Sequence, residues 1–167
     1  FDRISTGAVH QAKRFLLDSL GCALGGYLQH DVKIALEVFG ETGGSGPATV
    51  IGTGGKMDAI TASLLNALMV RVMDYNDIYW MQDPSHPSDI IPAALACGER
   101  AKRNGRDLIV GIVLGHEFEQ RLCEAAFVGI DSGQHELVAE HVGGTTCVLL
   151  QHAYRIGGAP ADAIRHG

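Results

Sequence analysis

Apolar residues along this chain recur at three- and four-residue intervals, with short glycine- and proline-rich breaks between them, and that rhythm predicts six helices. The first runs from Thr6 to Tyr27, with Val9, Ala12, Phe15, Leu16, Leu20, Ala23 and Leu24 on its apolar side, Ser5 or Thr6 as cap and Gly25-Gly26 as its end. A shorter helix fits Val32 to Phe39 and stops at Gly40. The third, from Asp58 to about Asp74, is apolar on nearly every side, a pattern expected of an interior helix. The fourth spans about Asp89 to Arg103, with Pro92 tolerable only in its first turn or as a kink. Asn104-Gly105 ends it, Asp107 opens a fifth that reaches about Ala125, and a sixth covers roughly Leu137 to Ile156.

Between the second and third helices lie seven glycines in residues 40 to 55, around Ala48-Thr49-Val50-Ile51, which reads as a loop with at most one short extended piece. It is not a phosphate cradle. Position 50 is valine where an earlier glycine is needed, and Met57 follows Lys56 where Ser or Thr should bind magnesium. The fold class is therefore all-α: a multi-helix domain with a glycine-rich loop and no internal repeat.

Composition narrows the function. A chain of 167 residues with 46% hydrophobic side chains is ample for one packed core. Its 13 basic and 19 acidic residues give net charge -6 without a basic cluster, which argues against nucleic acid as a partner. The sequence contains neither a span of about 18 uninterrupted apolar residues nor the order of a signal peptide, so no membrane partner and a cytoplasmic location are expected. Cys22, Cys97, Cys123 and Cys147 are far apart in apolar contexts, and read as buried thiols rather than metal or disulfide ligands. Because the chain starts at Phe1, and Pro160 and Asp162 resemble the first turn of a further helix, we expect a piece of a longer protein.

Candidate chemistry concentrates in residues 73 to 95, where carboxylates, a histidine and aromatics stand between two apolar helical stretches. If the third helix continues through Asp74 and Asp77, both carboxylates project to one side, with Arg71 three residues earlier. His86 follows Pro84-Ser85 and precedes Pro87-Ser88-Asp89, a rigid segment ahead of a helix start. A histidine there suits proton transfer, and the free amides of the helix start would welcome a substrate carboxylate. Alternatively, the stripe is an ion-paired helix end and His86 merely packs. His135-Glu136 to Glu140-His141 imitates a zinc-protease signature but fails it, since the two histidines are six apart on divergent faces. No metal ligands and no cofactor are expected. His116, His10, His30, His152 and His166 read as structural or exposed. No serine or cysteine nucleophile has a signature here, which leaves acid-base chemistry.

Met73-Asp-Tyr-Asn-Asp77, followed by His86-Pro-Ser-Asp89 and Ile-Pro-Ala-Ala-Leu-Ala, resembles the motif pair of the MmgE/PrpD family, which includes 2-methylcitrate dehydratase and cis-aconitate decarboxylase. The likeness extends to Phe15-Leu-Leu-Asp-Ser-Leu-Gly-Cys-Ala-Leu-Gly-Gly, to Ala48-Thr-Val-Ile-Gly and to Gly115-His-Glu-Phe-Glu-Gln-Arg121, and covers residues 5 to 125. The resemblance implies a larger two-domain fold, of which residues 1 to 167 would be an incomplete helical domain without the lid domain. It implies a homodimer and a metal-independent lyase acting on a hydroxy di- or tricarboxylic acid such as 2-methylcitrate, this chain being inactive alone. By motif position Asp74, His86 and His135 would be catalytic, with Asp74 holding the imidazole in its working tautomer. Arg71, Asp77 and Ser88 would contact the substrate. Arg71 departs from the histidine many members carry, and the spacing after His135 departs as well. The alternatives are decarboxylation or epimerisation of related acids, or a non-catalytic helical dimerisation module.

Overall fold

The computed structural model describes residues 1–80 and 84–125. The expected sixth helix, His135, His141 and Cys147 lie outside the described residues. Five helices are described: α1 (Thr6–Gly26), α2 (His30–Thr42), α3 (Ala59–Arg71), α4 (Ile90–Arg100) and α5 (Gly105–Ala125). The glycine-rich loop holds two two-residue strands, β1 (Ala48–Thr49) and β2 (Lys56–Met57), paired antiparallel with Ala48 opposite Met57. A single extended piece was expected there, and the loop folds back on itself to make two. The all-α reading holds.

Helices α1, α3 and α5 begin where a side chain accepts from the free backbone amides of the first turn. Ser5 Oγ accepts from Ala8 N–H at the head of α1, and Asp58 Oδ1 accepts from Ile60 and Thr61 N–H at the head of α3. The loop is tied down by buried polar groups. Asn66, 1% exposed in the middle of α3, accepts from Ile51 N–H at 2.9 Å and donates to the Thr49 carbonyl at 2.8 Å. Glu99 of α4 accepts from both the Thr49 amide and its hydroxyl. The loop is thus part of the scaffold rather than a ligand cradle.

Two apolar clusters fix the helices. Cys22, Ala23, Val32, Val50, Ala62, Leu65, Met69 and Ala96 join α1 to α4 with the loop, while Ala12, Ile91, Ala94, Ile109 and Ile112 join α1, α4 and α5. At Gly26 a side chain would collide with the Met69 carbonyl, so glycine there lets α1 close on α3. The interior reading of α3 needs correction: Ile60 and Leu64 are 65% and 50% exposed, because they lie on the face opposite Leu65, Met69 and Val70. Cys22, Cys97 and Cys123 are buried thiols outside any disulfide, as expected.

α3 also ends earlier than its apolar pattern suggested. It stops at Arg71, and Asp74 adopts φ +49° with its amide bonded to the Arg71 carbonyl. Between α3 and α4, residues 72 to 80 and 84 to 89 are tied by an antiparallel bridge in which Tyr79 and Ser85 exchange both backbone hydrogen bonds at 2.8 and 3.0 Å.

Candidate active site

The early end of α3 separates two carboxylates that a continuous helix would have aligned. Asp74 is exposed in the left-handed turn, whereas Asp77 is half-buried and turned toward the following segment. Asp74 makes no hydrogen bond or ion pair with His86 among the described residues. The shorter of two contacts to His86 comes from Asp77: the imidazole Nδ1 lies 2.7 Å from the Asp77 main-chain carbonyl, and Asn76 Nδ2 stands 3.4 Å from the same nitrogen. A carbonyl oxygen only accepts, so Nδ1 carries the proton, and Nε2 of the neutral ring keeps a lone pair for accepting another. The tautomer is set by a main-chain group and not by the Asp74 carboxylate.

Asp77 has a second task. Its Oδ1 accepts from the Ser88 amide at 3.0 Å, while Ser88 Oγ, in a residue with no exposure, accepts from Asn76 Nδ2 at 2.8 Å. A short 3-10 turn, Pro87–Asp89, leads into α4. Its amides are not free for a substrate, contrary to expectation: Pro87 has none, Ser88 donates to Asp77, and Asp89 donates to the His86 carbonyl at 2.9 Å.

Arg71 stands at the end of α3 with Nε 3.8 Å from Asp89 Oδ1, both side chains more than a third exposed. That is ion-pair contact without a hydrogen bond, and its worth is small. Burial pushes the Asp89 carboxyl up, Arg71 and then His86 pull it down, and Asp77 adds to the rise. Solvent damps each of these because the side chain keeps 39% exposure.

Two residues of α5 complete the surroundings, and sequence reasoning passed over both. His116, read as structural or exposed, is 8% exposed, with its ring edge-on to Phe15 at 5.1 Å between centroids. Burial lowers its pKa, opposed by the charge of Asp77 and the Pro87 carbonyl. Glu119 is 5% exposed, and burial is the main cause that raises its pKa to about 7. The Ser85 hydroxyl offsets part of this, and Asp89 and Asp77 add to it. A sequence signal existed: positions 109, 112, 116, 119 and 123 follow the three-four spacing of a buried helical stripe, and His116 and Glu119 interrupt it.

Around these groups several buried polar atoms lack a hydrogen-bond partner: Arg71 Nη1, Asn76 Oδ1, Asp77 Oδ2, Ser85 Oγ, His116 Nε2 and Glu119 Oε2. Native structures leave few such atoms, and a local concentration is a mark of a site that meets a ligand. Among the described residues no group of three or more His, Cys, Asp or Glu is placed to hold a metal ion. Of the six residues expected from sequence, Arg71, Asp77, His86 and Ser88 come together; Asp74 stands at the exposed edge, and His135 lies outside the described residues. No described helix is long and apolar enough to cross a membrane.

Comparison with known proteins gives a consistent result. A model of the MmgE/PrpD N-terminal domain matches residues 1–149. A Salmonella typhi protein named 2-methylcitrate dehydratase is 28% identical over 146 residues, which cover 78% of this chain and 30% of that protein. A mitochondrial 2-methylcitrate dehydratase of Yarrowia lipolytica is 28% identical over 76% of this chain and 27% of its own length. A probable 2-methylcitrate dehydratase of Saccharomyces cerevisiae is 30% identical over 66% of this chain and 23% of its own length. The chain thus spans less than a third of these relatives.

Proposed function

This chain belongs to the MmgE/PrpD family, and from that premise we propose that it forms part of a lyase that removes water from a hydroxy di- or tricarboxylic acid of the 2-methylcitrate type. The observation that carries the reading is the fixed tautomer of His86, whose Nδ1 is held by the Asp77 carbonyl. Nε2 is then poised to take the proton α to a substrate carboxylate. As that C–H bond breaks, charge builds on the adjacent carboxylate, and the hydroxyl on the neighbouring carbon leaves as water after receiving a proton from the imidazolium, which restores the neutral ring.

Arg71 is the cation that would offset the growing charge, since its Nη1 is buried and without a partner. Asp77 Oδ2, also unpartnered, can accept from the substrate hydroxyl. Ser88 contributes by fixing Asp77 through its amide. The roles of Asp74 and His135 rest on the family resemblance alone. Chain length matters here: the reaction is assigned to the complete protein, and the chain by itself is proposed to be inactive.

The test is His86→Ala in the full-length enzyme, with turnover of 2-methylcitrate as readout. A loss of about 10²-fold or more is expected for a general base. Near-normal turnover would remove His86 from the chemistry.

A further inference from the structure

Asn76 and Asp77 are consecutive, and both side chains grip Ser88, one at its hydroxyl and the other at its amide. Asn76 Nδ2 donates to Ser88 Oγ at 2.8 Å, and Asp77 Oδ1 accepts from Ser88 N–H at 3.0 Å. Each side chain uses one polar atom in this way and keeps a second: Asn76 Oδ1 and Asp77 Oδ2 are buried and have no hydrogen-bond partner. Buried acceptors are rarely left so, because the hydration they lose on folding has to be replaced. Here two of them belong to adjacent residues, and both residues touch His86, the base of the proposed reaction.

Distances tie the Asn76 acceptor to the imidazole. Asn76 Nδ2 stands 3.4 Å from His86 Nδ1. That nitrogen donates its proton to the Asp77 carbonyl, so it has no lone pair for the amide, and the contact is one of packing. The oxygen of a planar carboxamide lies about 2.3 Å from its nitrogen, which keeps Asn76 Oδ1 within about 6 Å of Nδ1. An oxygen hydrogen-bonded to Nε2, across the ring, stands about 5 Å from Nδ1. These distances let Asn76 Oδ1 and an oxygen on Nε2 meet.

We propose that Asn76 is a catalytic residue for the departure of water: its Oδ1 accepts the second O–H of the leaving group, the bond that forms only as the hydroxyl becomes water. The proposal deepens the lyase reading and rests on it. In the bound acid the hydroxyl has a single hydrogen, which Asp77 Oδ2 accepts. During the reaction the C–H electron pair becomes the new C=C bond and the C–O pair leaves with the oxygen. The proton held on Nε2 moves to that oxygen and returns the ring to neutrality. Water has two O–H donors, so one acceptor no longer suffices, and Asn76 Oδ1 is the second. A neutral amide suits this place because, unlike a carboxylate, it does not take the proton for itself. An interaction missing in the bound substrate and made at departure lowers the barrier without tightening binding.

The experiment gives the full-length enzyme 2-methylcitrate in D2O and reads both the unsaturated product and deuterium at the α carbon of recovered substrate. Proton removal needs His86, whereas loss of water needs Asn76 as well. Asn76→Ala is therefore expected to lower kcat about tenfold and to leave KM within about twofold. The ratio of α-deuteration to elimination should rise about tenfold, because the deprotonated acid returns to substrate instead of losing its hydroxyl. Asn76→Leu, close to asparagine in volume, is read in the same way if the alanine variant does not fold. Asn76→Asp keeps an acceptor oxygen and should hold the ratio within about threefold of the parent. A purely structural Asn76 would lower exchange and elimination together; an unchanged ratio in the alanine or leucine variant overturns the proposal, as does a kcat equal to the parent's. The lyase reading fails separately: near-normal turnover in His86→Ala removes it and this proposal with it, whereas a His86-dependent enzyme indifferent to Asn76 removes this proposal alone.

Discussion

The main-chain carbonyl of Asp77 and the Nδ1 atom of His86 are 2.7 Å apart, and the same aspartate holds the Ser88 amide with its side chain at 3.0 Å. One residue thus orients the imidazole and anchors the turn that follows it. A main-chain acceptor has an advantage over a carboxylate in this task, because it cannot be protonated as the pH falls.

The two bonds of Asp77 can be separated by substitution. Asp77→Ala keeps the carbonyl but leaves the amide of fully buried Ser88 without an acceptor, which should cost about 1–3 kcal/mol. Asp77→Asn keeps the Oδ1 acceptor, so its stability should stay within about 1 kcal/mol of the parent. Urea denaturation of the two variants in the full-length protein checks this. An Ala variant as stable as the parent would mean that the Ser88 bond contributes nothing.

The burial of Glu119 makes a prediction about stability. Its carboxyl is raised from 4.5 to about 7, so between those values the folded state keeps a proton that the unfolded state releases. The stabilising contribution is complete below pH 4.5, declines as pH rises toward 7 and is gone above it. The full swing is on the order of 3 kcal/mol. Glu119→Gln should flatten this slope, so that variant and parent differ in opposite senses at pH 5 and pH 8. Parallel stability curves across that range would exclude a buried, proton-holding Glu119.

Helix positions were legible in the sequence because they depend on local rhythm and punctuation. Ser5, Asp58, Gly25-Gly26 and Asn104-Gly105 mark ends that the structure places within a few residues. The end of α3 was not legible. The apolar run continues through Val72 and Met73, and nothing local announces that Asp74 turns left-handed; that choice is made by the chain's return to pair Tyr79 with Ser85. For the same reason Asp77, not Asp74, was hidden as the partner of His86, since a backbone carbonyl leaves no trace in sequence. His116 and Glu119 were hidden differently. Their spacing was visible, but whether a polar residue on a buried stripe meets a site or a neighbouring core depends on which helix packs beside it.

The cap of α3 gives a simpler test. Asp58 accepts from Ile60 and Thr61 at one oxygen and from Gly44 at the other, joining the helix start to the end of α2. Its pKa is lowered, first by the Thr61 hydroxyl and then by the Thr61 amide, with burial opposing. A depressed carboxylate stabilises above its unfolded value of 3.8 and loses that effect as pH falls through its lower folded value. Asp58→Ala should cost about 1 kcal/mol at pH 7, and Asp58→Ser much less. Equal losses for both variants would argue that the charge, and not the cap, carries the effect.

The approach of α5 to the site depends on one missing side chain. A methyl group at Gly115 would lie 2.5 Å from Ile90 Cγ2, closer than packed carbons come, and Ile90 itself is 3% exposed at the first position of α4. Alanine has the better helix propensity by about 1 kcal/mol, so a free helix would gain from Gly115→Ala. Here overpacking should outweigh that gain and leave a net loss of about 1–3 kcal/mol. Because α5 packs on the turn Pro87–Asp89 that follows His86, the displaced helix would also disturb that turn, and turnover should fall with stability. Ile90→Ala removes the colliding carbon, so although it is costly alone, in combination with Gly115→Ala it should fall short of additivity by about 1 kcal/mol or more. Strict additivity of the two substitutions would show that the helices do not meet at this point.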